Sequence, residues 1–287
     1  EQLGGKLTEA LGRATKVERP TWASKFTIQQ RAVDTMHVGR CFVSGDAAHV
    51  HSPASGQGLN TGVQDAFNLA WKLAMVVHGH ADASLLDTYD AERVPIGKAL
   101  LRSTSRVMET TMDAPAGGSA TDGAASDGGG DHGFMRQLIR SMSGLAIAYP
   151  DSPLTIAGDD AVGPLAGERL TQVDAVDAQS PGWTVLRDAL RKPAWLLLAF
   201  GDAATDHVGL PSWLTPVPVT ARRSASAEPG VWDPDGSVRR RLGGDDGDWI
   251  LVRPDGYLSA RGTGRAELDR VFADLGELLS TTVEAAS

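Results

Sequence analysis

The stretch from Phe42 to Gly62, FVSGDAAHVHSPASGQGLNTG, constrains this chain more than any other. It sets one Asp, two His, a Pro and four Gly between an apolar segment and a run with helical periodicity. A plain connection needs one or two such residues, because Gly supplies unusual backbone angles and Asp or Asn closes a turn. The surplus points to backbone that must lie close to a ligand. The short apolar strand GRCFVS would deliver Gly45 and Asp46 at its C-terminal end, where open α/β sheets bind ligands. An Asp there accepts hydrogen bonds from the hydroxyls of a sugar or polyol. Gly56 and Gly58 leave room for a flat ligand, and Asn60 and Thr61 are placed to cap the helix that follows. The N-terminal amides of that helix favour an anion or an electron-rich carbonyl.

The rest of the helix reads NTGVQDAFNLAWKLAMVVHG, with Val63, Ala66, Phe67, Ala70, Trp71, Ala74 and Val77 on one apolar stripe. Phe67 and Trp71 are therefore expected in the core. A second helical run, SLLDTYDAERVPIGKALLRSTSRVMETTM, contains Pro95 and is expected to bend or restart there. Upstream, LGGKLTEALGRA reads as a short amphipathic helix, FTIQQRAV as an alternating strand and CFVS as a short buried strand.

Charge narrows the function classes. A net charge of −9 and a pI near 5.2 disfavour nucleic acid and anionic membranes, both of which require a basic footprint. The longest apolar run, AWLLLAF, is too short to span a bilayer. Cys41 is the single cysteine, so no internal disulfide forms, and it reads as a small buried hydrophobe in a cytoplasmic protein. The run Arg239, Arg240 and Arg241 reads as a solvated turn.

Composition then divides the chain into residues 1–113, a linker at 114–133 and a module at 134–287. The linker, APAGGSATDGAASDGGGDHG, is Gly, Ala, Ser and Asp almost throughout. Its Gly128, Gly130 and Gly133 fit G-x-G-x-x-G, but no strand precedes them, so the pattern is rejected. Beyond it AWLLLAF, PVPVT, WILVRPDG and YLSAR read as four strands with DPDG and RPDG as turns. GRAELDRVFADLGELL closes the chain as an amphipathic helix.

The motif GDAAHVHSPASGQGLNTGVQDAFNLAWKLA resembles the second FAD-binding motif of the class A flavoprotein aromatic hydroxylases. LLDTYDAERVPIGKALL resembles that family's next helix, and WILVRPDGYLSARG its thioredoxin-like C-terminal domain in the phenol hydroxylase branch. The implied fold is α/β (α+β): the C-terminal half of a Rossmann-like FAD-binding domain, followed by a small thioredoxin-like domain. The resemblance places Asp46 at the ribityl hydroxyls of FAD and counts Gly45 before it among the cofactor-binding residues. It lays the backbone of Gly56, Gln57, Gly58, Leu59, Asn60 and Thr61 along the isoalloxazine ring. Pro53 becomes the one candidate on the substrate side, through its carbonyl. NADPH or NADH would reduce the flavin, oxygen would add as a C4a-hydroperoxide, and a phenolic or polycyclic aromatic would be hydroxylated.

The family's opening strand, G-x-G-x-x-G and helix do not occur before Gly45, so the chain reads as part of a longer enzyme. Its expected partners are a small aromatic substrate, oxygen, and a second copy or a missing N-terminal half. Two other readings are a non-catalytic interaction module and a metal-dependent hydrolase using His49 and His51. The second needs further ligands at later strand ends, where His37, His78, His80, His132 and His207 do not lie, so no metal is expected.

Overall fold

The computed structural model describes residues 2–16, 22, 29–51, 56–112, 144–158, 162–170, 177–201, 209–222 and 230–280. The linker, Pro53, His132 and His207 therefore lie outside the described residues. Helix α1 spans Gln2–Leu11. Two antiparallel pairs follow, β1 (Arg31–Ala32) with β4 (His49–Val50), and β2 (His37–Val38) with β3 (Cys41–Phe42). CFVS is thus one arm of a small hairpin closed through Gly39 at φ 59°, and Cys41 is exposed rather than buried. An edge of two residues cannot cover both its faces.

Helix α2 spans Gly58–Val77 and α3 spans Asp87–Met112. Pro95 lies inside a continuous α3, neither ending nor restarting it. The buried Tyr89, Glu92 and Arg93 before it and Leu100 after it anchor both sides, which offsets the lost backbone bond.

The C-terminal module is a five-stranded mixed sheet in the order β7-β6-β5-β8-β9. Its strands are β5 (Trp195–Phe200), β6 (Leu214–Thr220), β7 (Val231–Trp232), β8 (Asp248–Val252) and β9 (Leu258–Thr263). β6 runs parallel to β5 and β7, whereas β8 is antiparallel to β5 and β9. The four expected strands are present, and the short edge strand β7 was not foreseen. Both turn signals hold: Gly236 donates to the Asp233 carbonyl and Gly256 to that of Arg253, each glycine at positive φ.

Side-chain alternation on β5 explains its unbroken apolar sequence, since both faces are covered. Trp195 and Leu197 join Trp249, Leu251 and helix α6 (Gly264–Leu275) on one face. Leu196, Leu198 and Phe200 join Ile250, Val252 and helices α4 (Pro181–Leu190) and α5 (Ser237–Leu242) on the other. The arginine run thus sits in α5, not in a turn: Arg240 and Arg241 are exposed, and Arg239 pairs with Asp246.

The first face also receives Trp71, Met75, Ala81 and Leu85, so α2 shares the core of the module. The orientation of α2 is the opposite of the one its apolar stripe suggests. Thr61, Asp65, Asn68, Trp71, Lys72 and Met75 are buried, while Leu59 (79%), Val63 (59%), Phe67 (48%) and Val77 (79%) are exposed. Trp71 is core as expected, and Phe67 is not.

A cluster of buried charges holds the inward face of α2. Glu92 on α3 receives both terminal nitrogens of Arg253, at 2.6 and 2.9 Å, together with Lys72 Nζ at 2.8 Å, Asn68 and Ser152. Arg253 also donates to Asp255, which accepts the Trp71 indole N–H at 3.0 Å. Burial alone would raise the Glu92 carboxyl, but Arg253 and Lys72 outweigh it and hold it well below the usual range. Burial pushes the Lys72 ammonium down to about 8, against the opposing pull of Glu92.

A pH dependence follows. Below pH 8 Lys72 is charged in both folded and unfolded chains; above it the folded chain releases the proton first, since the ordinary lysine value is 10.5. The unfolded state then binds more protons, so this group makes stability rise with pH between about 8 and 10, on the order of 2 kcal/mol. Urea midpoints measured across that window are expected to show the rise, and Lys72→Met to remove it.

Candidate functional site

The segment after β3 enters a single 3-10 turn, Gly45–Ala47. Gly45 sits at φ 57°, left-handed backbone that a side chain disfavours, and the Ala48 N–H closes the turn on its carbonyl at 2.8 Å. Gly62, in the first turns of α2, packs against it backbone to backbone. A Cβ on Gly62 would stand 3.2 Å from the Gly45 Cα, so a larger residue would push turn and helix apart. The hairpin beneath is tied to α3 by the Tyr89 hydroxyl donating to the Val43 carbonyl at 3.0 Å and by Asp90 accepting the Met36 N–H at 2.9 Å. His37 stacks on Phe42 with centroids 4.4 Å apart.

Asp46 is exposed at the apex of this turn, and its carboxylate accepts no hydrogen bond from the described residues. Beside it α2 begins. Gln57 is its N-cap, without a side-chain cap bond, and the Thr61 N–H and hydroxyl both donate to the Gln57 carbonyl, at 3.0 and 2.9 Å. The expected capping role of Asn60 and Thr61 is therefore corrected: both lie inside the first turn, because the helix already starts at Gly58. Its first N–H groups have no partner within the helix. Gly56, at φ 63°, has open space where a Cβ would project, and the ring of His51 lies 3.2 Å from such a position on Gly58.

These features assemble a surface of defined chemistry: an open carboxylate, a helix N-terminus and bare backbone, held together by the Gly45–Gly62 contact. A polyol fits the first and a flat group with delocalised negative charge fits the second.

Behind the turn lies a cluster that the sequence reading missed. Asp65, fully buried, accepts the Gly45 N–H at 3.0 Å and His49 Nε2 at 2.6 Å on one oxygen, and Arg93 Nε at 2.6 Å on the other. Burial would raise its carboxyl, but the bonds from His49 and Arg93 hold it below the ordinary range. Arg93 reaches the Tyr149 hydroxyl at 2.8 Å and the Thr61 carbonyl at 3.3 Å. His49 is thereby engaged with Asp65, its ring 6.5 Å from that of His51, and among the described residues no group of three His, Cys, Asp or Glu is placed to hold a metal. The missed signal is a second stripe on α2, Thr61, Asp65, Asn68 and Lys72, spaced by three and four residues opposite the apolar one.

A family model described as "FAD binding domain" matches residues 1–104. The chain is 44% identical over 277 residues to 6-methylpretetramide 4-monooxygenase of Streptomyces rimosus, covering 91% of this chain and 48% of that protein. It is 33% identical over 298 residues to pentachlorophenol 4-monooxygenase of Sphingobium chlorophenolicum, covering 99% of this chain and 52% of that protein. Among solved structures it resembles CabE, an aromatic hydroxylase from angucycline biosynthesis, with a TM-score of 0.62 and 28% identity over 97% of this chain and 53% of that one. The chain spans about half the length of the curated relatives it matches.

Proposed function

Because the chain belongs to the class A flavoprotein aromatic hydroxylase family, we propose that it forms the ring-side half of an FAD site in an NAD(P)H-dependent aromatic monooxygenase. The observation that carries this reading is the open Asp46 carboxylate set beside the N-terminus of α2 by the Gly45–Gly62 contact. Asp46 accepts hydrogen bonds from the ribityl hydroxyls. Gly56, with open space beside it, admits the ring against the backbone, Gly58 leaves room for the His51 ring, and the amides near Leu59 and Asn60 face the pyrimidine edge, where reduction places negative charge. FAD, reduced by NADPH or NADH, supplies the oxygen chemistry, and the protein orients the ring and keeps water from it. Pro53 is assigned to the substrate side through its carbonyl.

The substrate is a phenolic or polycyclic aromatic, as the names of the relatives suggest for this chain. The sheet module has a thioredoxin-like role in shape alone, since Cys41 lies outside it and no dithiol is present in residues 134–287. Leu59, Val63, Phe67 and Val77 form an outward apolar face on α2 that starts at the site itself. Such a face suits association with the remaining half of the fold, which completes the pyrophosphate and adenosine contacts.

Flavin content tests this division. The chain purified alone is expected to hold FAD far below one per chain, and the same chain assembled with the remaining half to hold one. Absorbance near the flavin bands reads both; an assembled protein without flavin would refute the proposal.

A further inference from the structure

The Gly45–Asp46 turn sets the exposed Asp46 carboxylate beside a left-handed glycine, and both features leave a loop free to move unless something fixes it. We propose that Asp65 is the positioning residue of this turn and that the C-terminal module holds Asp65 in place through Tyr149 and Arg93. The role assigned to the turn rests on the flavin reading above; the positioning itself does not.

The geometry runs unbroken from sheet to turn. Tyr149 precedes the sheet, its N–H donates to the Gly167 carbonyl at 2.9 Å, and its ring lies 4.5 Å from that of Tyr257. Arg253, locked between Glu92 and Asp255, stands 5.3 Å from the Tyr149 ring. The Tyr149 hydroxyl accepts from Arg93, Arg93 donates to one oxygen of Asp65, and the other oxygen accepts the Gly45 N–H. Arg93 also donates to the Thr61 carbonyl, so one guanidinium fixes both the turn's anchor and the first turn of α2. Asp65 and Arg93 are wholly buried and Tyr149 is 5% exposed, which removes competition from water. An ionised Asp65 makes its bond to Gly45 charge-assisted and short-ranged, the kind that fixes a backbone amide.

The module therefore contributes to the cofactor site without touching it. A domain without a dithiol acts here as a buttress, and Asp65, Arg93 and Tyr149 act through Gly45.

Amide hydrogen exchange of the chain reads the Gly45 N–H directly, with or without flavin. In Asp65→Ala, exchange at Gly45 is expected to accelerate about tenfold or more, as befits a lost bond to a charged acceptor. Amides of β5 and β8 should change less. Tyr149→Phe should raise Gly45 exchange in the same direction by a smaller factor, and should decide alone if Asp65→Ala does not fold. Leu198→Ala, on the far face of the sheet, serves as the control that lowers melting temperature without selecting this turn. The proposal is overturned if Gly45 exchange stays unchanged in Tyr149→Phe, or rises there only in step with stability as in the control. Flavin titration of the assembled variants separates the two readings. Faster Gly45 exchange with unchanged flavin affinity would establish the positioning role and reject the flavin assignment of the turn.

Discussion

Arg253→Ala is expected to destabilise the chain by about 3 to 5 kcal/mol, the usual cost of breaking a buried charge pair from one side. The removed guanidinium donates to both oxygens of Glu92 and to Asp255, and it lies 5.3 Å from the ring of Trp71. Its loss leaves two buried carboxylates with Lys72 as the remaining close cation in the cluster, and opens a void between α2, α3 and the sheet. Arg253→Lys should recover only part of the loss, because one ammonium cannot span the two-pronged contact with Glu92. A double cycle with Glu92→Ala should show strong coupling, since the second substitution removes a group the first has already orphaned. Urea unfolding followed by tryptophan fluorescence measures all three. A loss below about 1 kcal/mol would place Arg253 in a solvated setting and contradict the packing of α2 on the module.

Much of this architecture was legible in the sequence. AWLLLAF announced a strand, which the structure covers on both faces, and DPDG and RPDG announced turns, whose glycines the structure places at positive φ. The turn Gly45–Asp46, the glycines around it and the helix that follows were read correctly as neighbours. The orientation of α2 was not, for a physical reason. Periodicity reveals that a helix has two unlike faces, and burial of the apolar one is only the usual outcome. Here Asp65 pairs with Arg93, Lys72 with Glu92, and Asn68 with Glu92 and Asp255, while Arg253 closes the cluster on Glu92 and Asp255 from a position 161 residues beyond Glu92. Pairing at such separation leaves no local trace. Cys41 was misread similarly: an apolar quartet suggested burial, but only two of its residues form a strand, and that strand belongs to a surface hairpin. Pro53 stays an assignment by resemblance.

The second large effect concerns Asp46. If its carboxylate accepts hydrogen bonds from the ribityl chain, Asp46→Ala leaves those hydroxyls without a charged partner, at about 1.5 to 3 kcal/mol. Flavin affinity should fall by roughly tenfold to a hundredfold. Folding should be nearly untouched, because the side chain is exposed and makes no bond to the described residues. Asp65→Ala differs in kind, since it removes a buried carboxylate from Arg93 and lowers stability as well as affinity.

Equilibrium titration with FAD of the protein in which this chain is joined by the rest of its fold, wild type against Asp46→Ala and with melting temperatures alongside, is the most direct test. A dissociation constant raised at least about tenfold at unchanged melting temperature is the expected result. Equal affinities for the two proteins would contradict the assignment of this turn to the flavin.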